Sequence, residues 1–251
     1  MPTFRHGDVE IAYLAEGAGD PIVLVHGFAS NKEVNWVQPG WVSTLMRDGR
    51  RVIALDNRGH GQSSKLYDPA VYHTDLMAGD VAALIAHLDL DRADVMGYSM
   101  GSRISAVLAA RHPERVRSLI LGGVGTNLIH GAALAPEVAP ALEAASVHDV
   151  TDPIGKAFRL FAEQTKSDLK ALAACMRGSR GAALSAGEIQ SIRVPVLIAT
   201  GTKDDMVGSP HELAALIPGA RVLDIPNRDH MLAVGDRVFK NGALDFLRER
   251  P

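Results

Sequence analysis

DVMGYSMGSRISAVLAAR, residues 94–111, is the stretch on which the reading of this chain turns. An apolar, strand-like run (Val95-Met96) enters the turn Gly97-Tyr98-Ser99-Met100-Gly101. An Ala-rich helical segment, Met100 to Arg111, leaves it and stops before Pro113, because proline cannot continue a helix. A serine on a sharp strand-to-helix turn sits in strained backbone, so the residues two before and two after it must be small. Gly97 and Gly101 meet that requirement. Such a turn lifts the hydroxyl above the sheet and aims the N-terminus of the next helix at it, which favours negative charge there. The five-residue pattern is common by itself; the strand before it and the helix after it make it informative.

Outward from this turn, short apolar runs alternate with helical patterns. Pro21 to His26 and Arg51 to Asp56 are apolar almost throughout, as strands buried on both faces are. Asp94 to Gly97, Leu119 to Gly122, Val194 to Thr200 and Arg221 to Ile225 supply four more. Asp75 to Leu88 carries Leu76, Val81, Leu84, Ile85 and Leu88 at helical spacing. Ser209-Pro210-His211-Glu212 reads as a helix start with Ser209 as cap, Pro210 at the first position and Glu212 closing a capping box. The alternation predicts an α/β fold, a mostly parallel twisted sheet with helices on both faces. A hairpin, Thr3 to His6 and Val9 to Leu14, adds an antiparallel edge. One stretch, 126–190, offers no strand and is too long for a plain loop. It predicts a small helical cap inserted in a core made of 1–125 and 191–251.

Composition excludes several classes. At 251 residues, 47% of them hydrophobic, the chain can bury one sizeable core. A net charge of −3 with mixed signs offers neither a nucleic-acid surface nor an anionic-membrane surface. The single Cys175 makes no internal disulfide and suits a reducing compartment. With no signal-like start and no apolar run of membrane-spanning length, a cytoplasmic, non-membrane location is expected. No cluster of His, Cys and carboxylates has ligand spacing, so no metal and no cofactor are implied. Oligomeric state is left open.

A serine hydroxyl needs a base. His6, His73, His87, His112 and His211 fall on surface helices or edges, and His130 and His148 in the expected cap. His230 follows the last strand through Pro226-Asn227-Arg228-Asp229, at the carboxyl edge where open sheets place their ligands. The acid must share that edge, and Asp204 and Asp205 follow the strand ending at Thr200. Asp204 is preferred, since adjacent loop residues diverge and one faces solvent. Asp229, beside His230, reads as solvated.

Four motifs in order resemble the α/β-hydrolase superfamily: His26-Gly27-Phe28 (its oxyanion loop), Asp56-x-Arg58-Gly59-x-Gly61-x-Ser63, the Gly97–Gly101 elbow, and Gly201-x-x-Asp204-x-x-Val207 (its acid turn). The chain order Ser, Asp, His matches as well. The resemblance implies a catalytic triad Ser99, Asp204 and His230, with an oxyanion hole made by the backbone N–H groups of Phe28 and Met100. It also implies that His26 braces its loop and that Asp56 and Arg58 form a turn-stabilising pair. Haloalkane dehalogenases and epoxide hydrolases of the superfamily carry Asp where this chain has Ser99, and its C–C hydrolases tend to a longer glycine-rich loop than His26 to Ser30. The expectation is therefore a carboxylesterase-like enzyme acting on a small-molecule ester or thioester of a small to medium acyl group. C–C bond hydrolysis, perhydrolysis and a non-catalytic receptor on the same fold are the alternatives. Specificity is expected from the cap and from Phe28, Trp36, Trp41, Tyr98 and Met100, the two tryptophans reading mainly as core.

Overall fold

Continuous apolar runs become buried parallel strands because helices cover both faces of the sheet. The computed structural model describes residues 1–131, 136–179, 181 and 183–250. Its strands are β1 (Thr3–His6), β2 (Val9–Glu16), β3 (Asp20–Val25), β4 (Arg50–Leu55), β5 (Ala93–Tyr98), β6 (Val116–Gly122), β7 (Val196–Gly201) and β8 (Arg221–Ile225). They form an eight-stranded sheet in the order β1-β2-β4-β3-β5-β6-β7-β8. β1 and β2 run antiparallel, joined at Gly7, whose φ of +60° suits glycine. β2 also pairs antiparallel with β4, and all later pairings are parallel. β7 starts two residues later than the sequence predicts, after Pro195, whose carbonyl accepts the Leu119 N–H.

Alternate strand residues serve opposite faces. Val23, Val25, Ile53, Val95 and Leu119 pack beneath α2 (Thr74–His87) and α3 (Met100–Arg111). Ile22, Leu24, Ala54, Met96 and Ile120 pack beneath α1 (Trp41–Arg47) and the C-terminal helix Arg237–Glu249. In α2 the inward stripe is Met77, Ala78, Val81, Leu84 and Ile85. Leu76, expected in that stripe, is 44% exposed, because it lies about 100° around the helix from Met77, outside the stripe.

Between β6 and β7 lie α4 (Asn127–His130), α5 (Val138–Glu143), α6 (Pro153–Gln164), α7 (Leu169–Gly178) and α8 (Ala186–Ser191), with no strand among the described residues. Residues 132–135, 180 and 182 of the expected cap fall outside the described residues. The chain closes with α9 (Pro210–Leu216), α10 (His230–Ala233) and α11 (Arg237–Glu249). Ser209 does cap α9 by accepting the Glu212 N–H at 3.1 Å. The expected capping box is not completed, because the Ser209 N–H donates instead to Thr126 Oγ1 at 3.3 Å.

Candidate active site

Ser99 stands between the last residue of β5 and the first of α3, with φ +54° and ψ −116°. That backbone costs a non-glycine residue about 1–3 kcal/mol, so packing must impose it. The flanking glycines let it do so. A Cβ on Gly97 would overlap the Gly101 carbonyl, and one on Gly101 would overlap the Val25 carbonyl. The Ser99 N–H is held by Gly122 O at 2.8 Å.

The hydroxyl meets His230. Ser99 Oγ lies 2.8 Å from His230 Nε2, and His230 Nδ1 lies 2.6 Å from Asp204 Oδ2. A carboxylate only accepts, so Nδ1 carries the proton and Nε2 is left to accept from the Ser99 O–H. The Asp204 side chain is fully buried and that of His230 is 12% exposed. Asp204 Oδ1 also accepts the Met206 N–H at 3.2 Å. Asp205, the neighbour set aside, is exposed at the mouth of the cavity. Asp229 is exposed as expected, yet it has a local role: its Oδ1 accepts the N–H groups of Met231 and Leu232, capping the helix that His230 begins.

On the other side of Ser99, the loop after β3 is tightly braced. His26 Nδ1–H donates to Gly27 O at 2.7 Å, and His26 Nε2 accepts the Asn57 N–H at 2.9 Å. The Gly27 N–H donates to Asn35 Oδ1 at 3.0 Å. Among the described residues no protein group takes the N–H of Phe28 or of Met100. The arrangement thus offers a base-activated hydroxyl beside two uncommitted backbone donors.

The expected pair of Asp56 with Arg58 does not form. Asp56 accepts from buried Lys32, Nζ to Oδ2 at 2.6 Å, and from the N–H groups of Lys32 and Gln62. Arg58 forks instead onto Asp80 of α2, with both bonds at 2.7 Å. The two side chains take separate partners, 24 and 22 residues away in the chain. His60, to which the sequence assigned no role, is buried beside His26 and Phe28. Its Nδ1–H donates to Arg58 O at 2.9 Å, and burial pushes its pKa down to about 3, so the ring stays neutral. Burial also lowers the pKa of His26.

A cavity of about 1440 Å³ opens above Ser99 and His230. Phe28, Tyr98 and Met100 line it, as expected. Trp36 and Trp41 do not; they are wholly buried, and the Trp41 indole N–H donates to Val234 O at 2.7 Å. The Tyr98 hydroxyl donates to His230 O at 2.5 Å, and burial raises its pKa, so it stays a donor. Residues of α6 and α7, including Phe158 and Met176, supply one wall, and Val234 and Val238 another. Asn35, Lys32, His60 and Arg103 gave no signal in the sequence beyond their type, because the contacts that define them are long-range.

Among the described residues no group of three metal-ligating side chains comes together, and no helix is long and apolar enough to cross a membrane. Known proteins resemble this chain at two levels. The dihydrolipoyllysine-residue acetyltransferase component of the acetoin cleaving system of Pseudomonas putida is 33% identical over 232 residues, covering 85% of this chain and 59% of that protein. The 2-hydroxymuconate semialdehyde hydrolase of Pseudomonas sp. (strain CF600) is 37% identical over 107 residues, covering 43% of this chain and 37% of that protein. The chain thus spans less than two thirds of the length of these curated relatives. The crystal structure of the enol-lactonase from Burkholderia xenovorans LB400 superposes with a TM-score of 0.82 at 25% identity, covering 99% of this chain and 100% of that one. A family model described as the alpha/beta hydrolase fold matches residues 20–176, more than half of the sequence, and with it the chain belongs to the alpha/beta hydrolase family.

Proposed function

We propose that this protein is a serine hydrolase that cleaves a carboxylic ester or thioester of a small to medium acyl group through an acyl-enzyme on Ser99. The observation that carries this reading is the continuous chain Ser99 Oγ–His230 Nε2 at 2.8 Å and His230 Nδ1–Asp204 Oδ2 at 2.6 Å. In the first half-reaction Ser99 Oγ bonds to the carbonyl carbon as its proton passes to His230 Nε2. The resulting oxyanion takes the free N–H groups of Phe28 and Met100, donors of a kind that lower such barriers by a few kcal/mol. Collapse expels the alkoxide or thiolate, which takes the proton from His230. In the second half, water gives His230 a proton and attacks the acyl-enzyme, and Ser99 leaves with that proton. Asp204 holds the tautomer and offsets the imidazolium charge throughout.

We read 126–190 as a cap that shapes the acyl side of the cavity. Supporting this, the Thr165 hydroxyl donates to Ala29 O at 3.0 Å, and the Phe158 ring lies 5.8 Å from that of Phe28. The partial likeness to a 2-hydroxymuconate semialdehyde hydrolase keeps C–C bond hydrolysis as a second reading of the same triad. The test is labelling with a fluorophosphonate, location of the adduct by peptide mass spectrometry, and turnover of a short-chain p-nitrophenyl ester. A stoichiometric adduct on Ser99 with many turnovers, both lost in Ser99→Ala, supports the proposal. Labelling without turnover identifies a receptor, and turnover that survives Ser99→Ala overturns the mechanism.

A further inference from the structure

Arg103 stands one helical turn beyond Ser99 on α3 and is 5% exposed, yet it lines the active-site cavity. Four residues along a helix span about 6 Å, and long helical side chains lean back toward the N-terminus, which brings this guanidinium toward the nucleophile's end of the helix. Its terminal nitrogens donate to three backbone carbonyls: Asn127 at 3.1 Å, Ser179 at 3.3 Å, and Gly181. Carbonyl dipoles orient the group without cancelling its charge. Among the described residues it has no carboxylate partner, and the residues of this segment outside the description (132–135, 180 and 182) include no acid in the sequence. Every other arginine in the described residues that is as deeply buried pairs with an acid: Arg50 with Asp48 and Asp94, Arg58 with Asp80, and Arg159 with Glu163. Burial lowers the pKa of Arg103 to about 10, so it is still a cation at neutral pH. A cation held in a mostly apolar site with no counter-ion is costly, and an anionic ligand offsets that cost.

We infer that Arg103 is a specificity-determining residue that receives a carboxylate on the acyl part of the substrate, so that the preferred substrates are half-esters or half-thioesters of dicarboxylic acids. This rests on the ester-hydrolase reading of Ser99. The acyl assignment follows from proton transfer. The leaving oxygen takes its proton from His230, so the alcohol part lies beside α10 and α11, where Val234 and Val238 line the cavity. The acyl part is left on the side of α3, where Arg103, Met176 and Phe158 line it.

Three p-nitrophenyl esters of matched length test this: the glutarate half-ester, its uncharged glutaramate counterpart and the pentanoate. Turnover of the pentanoate reports the ester-hydrolase reading alone, whatever the other two do. For the wild type the kcat/KM ratio of glutarate to pentanoate is expected to exceed about tenfold, the scale of one charged hydrogen bond, with glutaramate close to pentanoate. In Arg103→Gln the ratio is expected to fall about tenfold or more, chiefly through KM, and in Arg103→Lys to be largely kept. A wild-type ratio near one overturns the inference, as does a ratio that survives Arg103→Gln. Equal loss on both esters in Arg103→Gln also overturns it, since that is what a purely structural clamp on the helical segment does. If Arg103→Gln does not fold, the wild-type ratio and the glutaramate comparison decide.

Discussion

Replacing Asp204 by asparagine removes one charge and no volume, and the surrounding geometry dictates how the amide sits. Asp204 Oδ1 accepts the Met206 N–H at 3.2 Å while Oδ2 faces His230 Nδ1 at 2.6 Å. The asparagine oxygen is the only atom able to keep the Met206 bond, so the NH2 group turns to His230. Two donors cannot face each other, and the imidazole proton moves from Nδ1 to Nε2. Nε2 then has no lone pair for the Ser99 hydroxyl, and the base is lost. In serine-protease triads the same exchange lowers turnover by about 10⁴, or about 5 kcal/mol of barrier. Asp205→Asn is the control. Asp205 is exposed, and its charge reaches His230 only through water, which limits the effect to about two- or threefold. Both variants are to be purified, matched for thermal midpoint, and compared with wild type for burst and steady-state release of p-nitrophenol from one activated ester. A folded Asp204→Asn enzyme within tenfold of wild type refutes the tautomer argument. A crippled Asp205→Asn enzyme beside a normal Asp204→Asn assigns the acid to the wrong residue.

Three further outcomes are expected. Gly101→Ala places a methyl against the Val25 carbonyl and costs about 3 kcal/mol or more, seen as insoluble or unlabelled protein, whereas Gly187→Ala, with open space around it in α8, raises stability in urea by about 0.5–1 kcal/mol. Burial holds the pKa of His60 down at about 3 against an ordinary 6.5, so below pH 6.5 the unfolded chain binds a proton that the native fold refuses; stability is full above that pH and falls by about 2 kcal/mol at pH 5.0, and urea midpoints that are equal at pH 7.5 and 5.0 count against it. Tyr98→Phe deletes the 2.5 Å bond to His230 O, loosens the start of α10 and lowers kcat about tenfold with little change in KM; a KM effect alone would mean that the hydroxyl touches substrate instead.

Much of the site could be read along the chain. The elbow is local: Gly97 and Gly101 are small because backbone lies within van der Waals reach on either side, and α3 runs over the residues its pattern predicted. His230 and Asp204 were singled out by their place after β8 and β7, at the carboxyl edge that a parallel sheet presents, and the structure brings both to Ser99. Another assignment failed in an informative way. The family resemblance implied a turn-stabilising pair of Asp56 with Arg58, yet Lys32 and Asp80 claim them. Trp36 and Trp41, read mainly as core, are core: Trp36 packs edge-on against Trp41, and Trp41 against Phe239 of α11.

Thus residue order by itself determined the strand and helix succession, the strained serine and the chain order of Ser99, Asp204 and His230, since periodicity, glycine sterics and turn chemistry act over a few residues. The tertiary structure decided which charges pair, which aromatic rings line the cavity, and that Arg103 lines it with carbonyls rather than an acid around its guanidinium. Those outcomes depend on atoms 20 or more residues apart in the chain, as Arg58 and Asp80 are by 22 and Arg103 and Ser179 by 76. A buried charge takes whatever partner the fold carries to it, and no local pattern encodes that meeting.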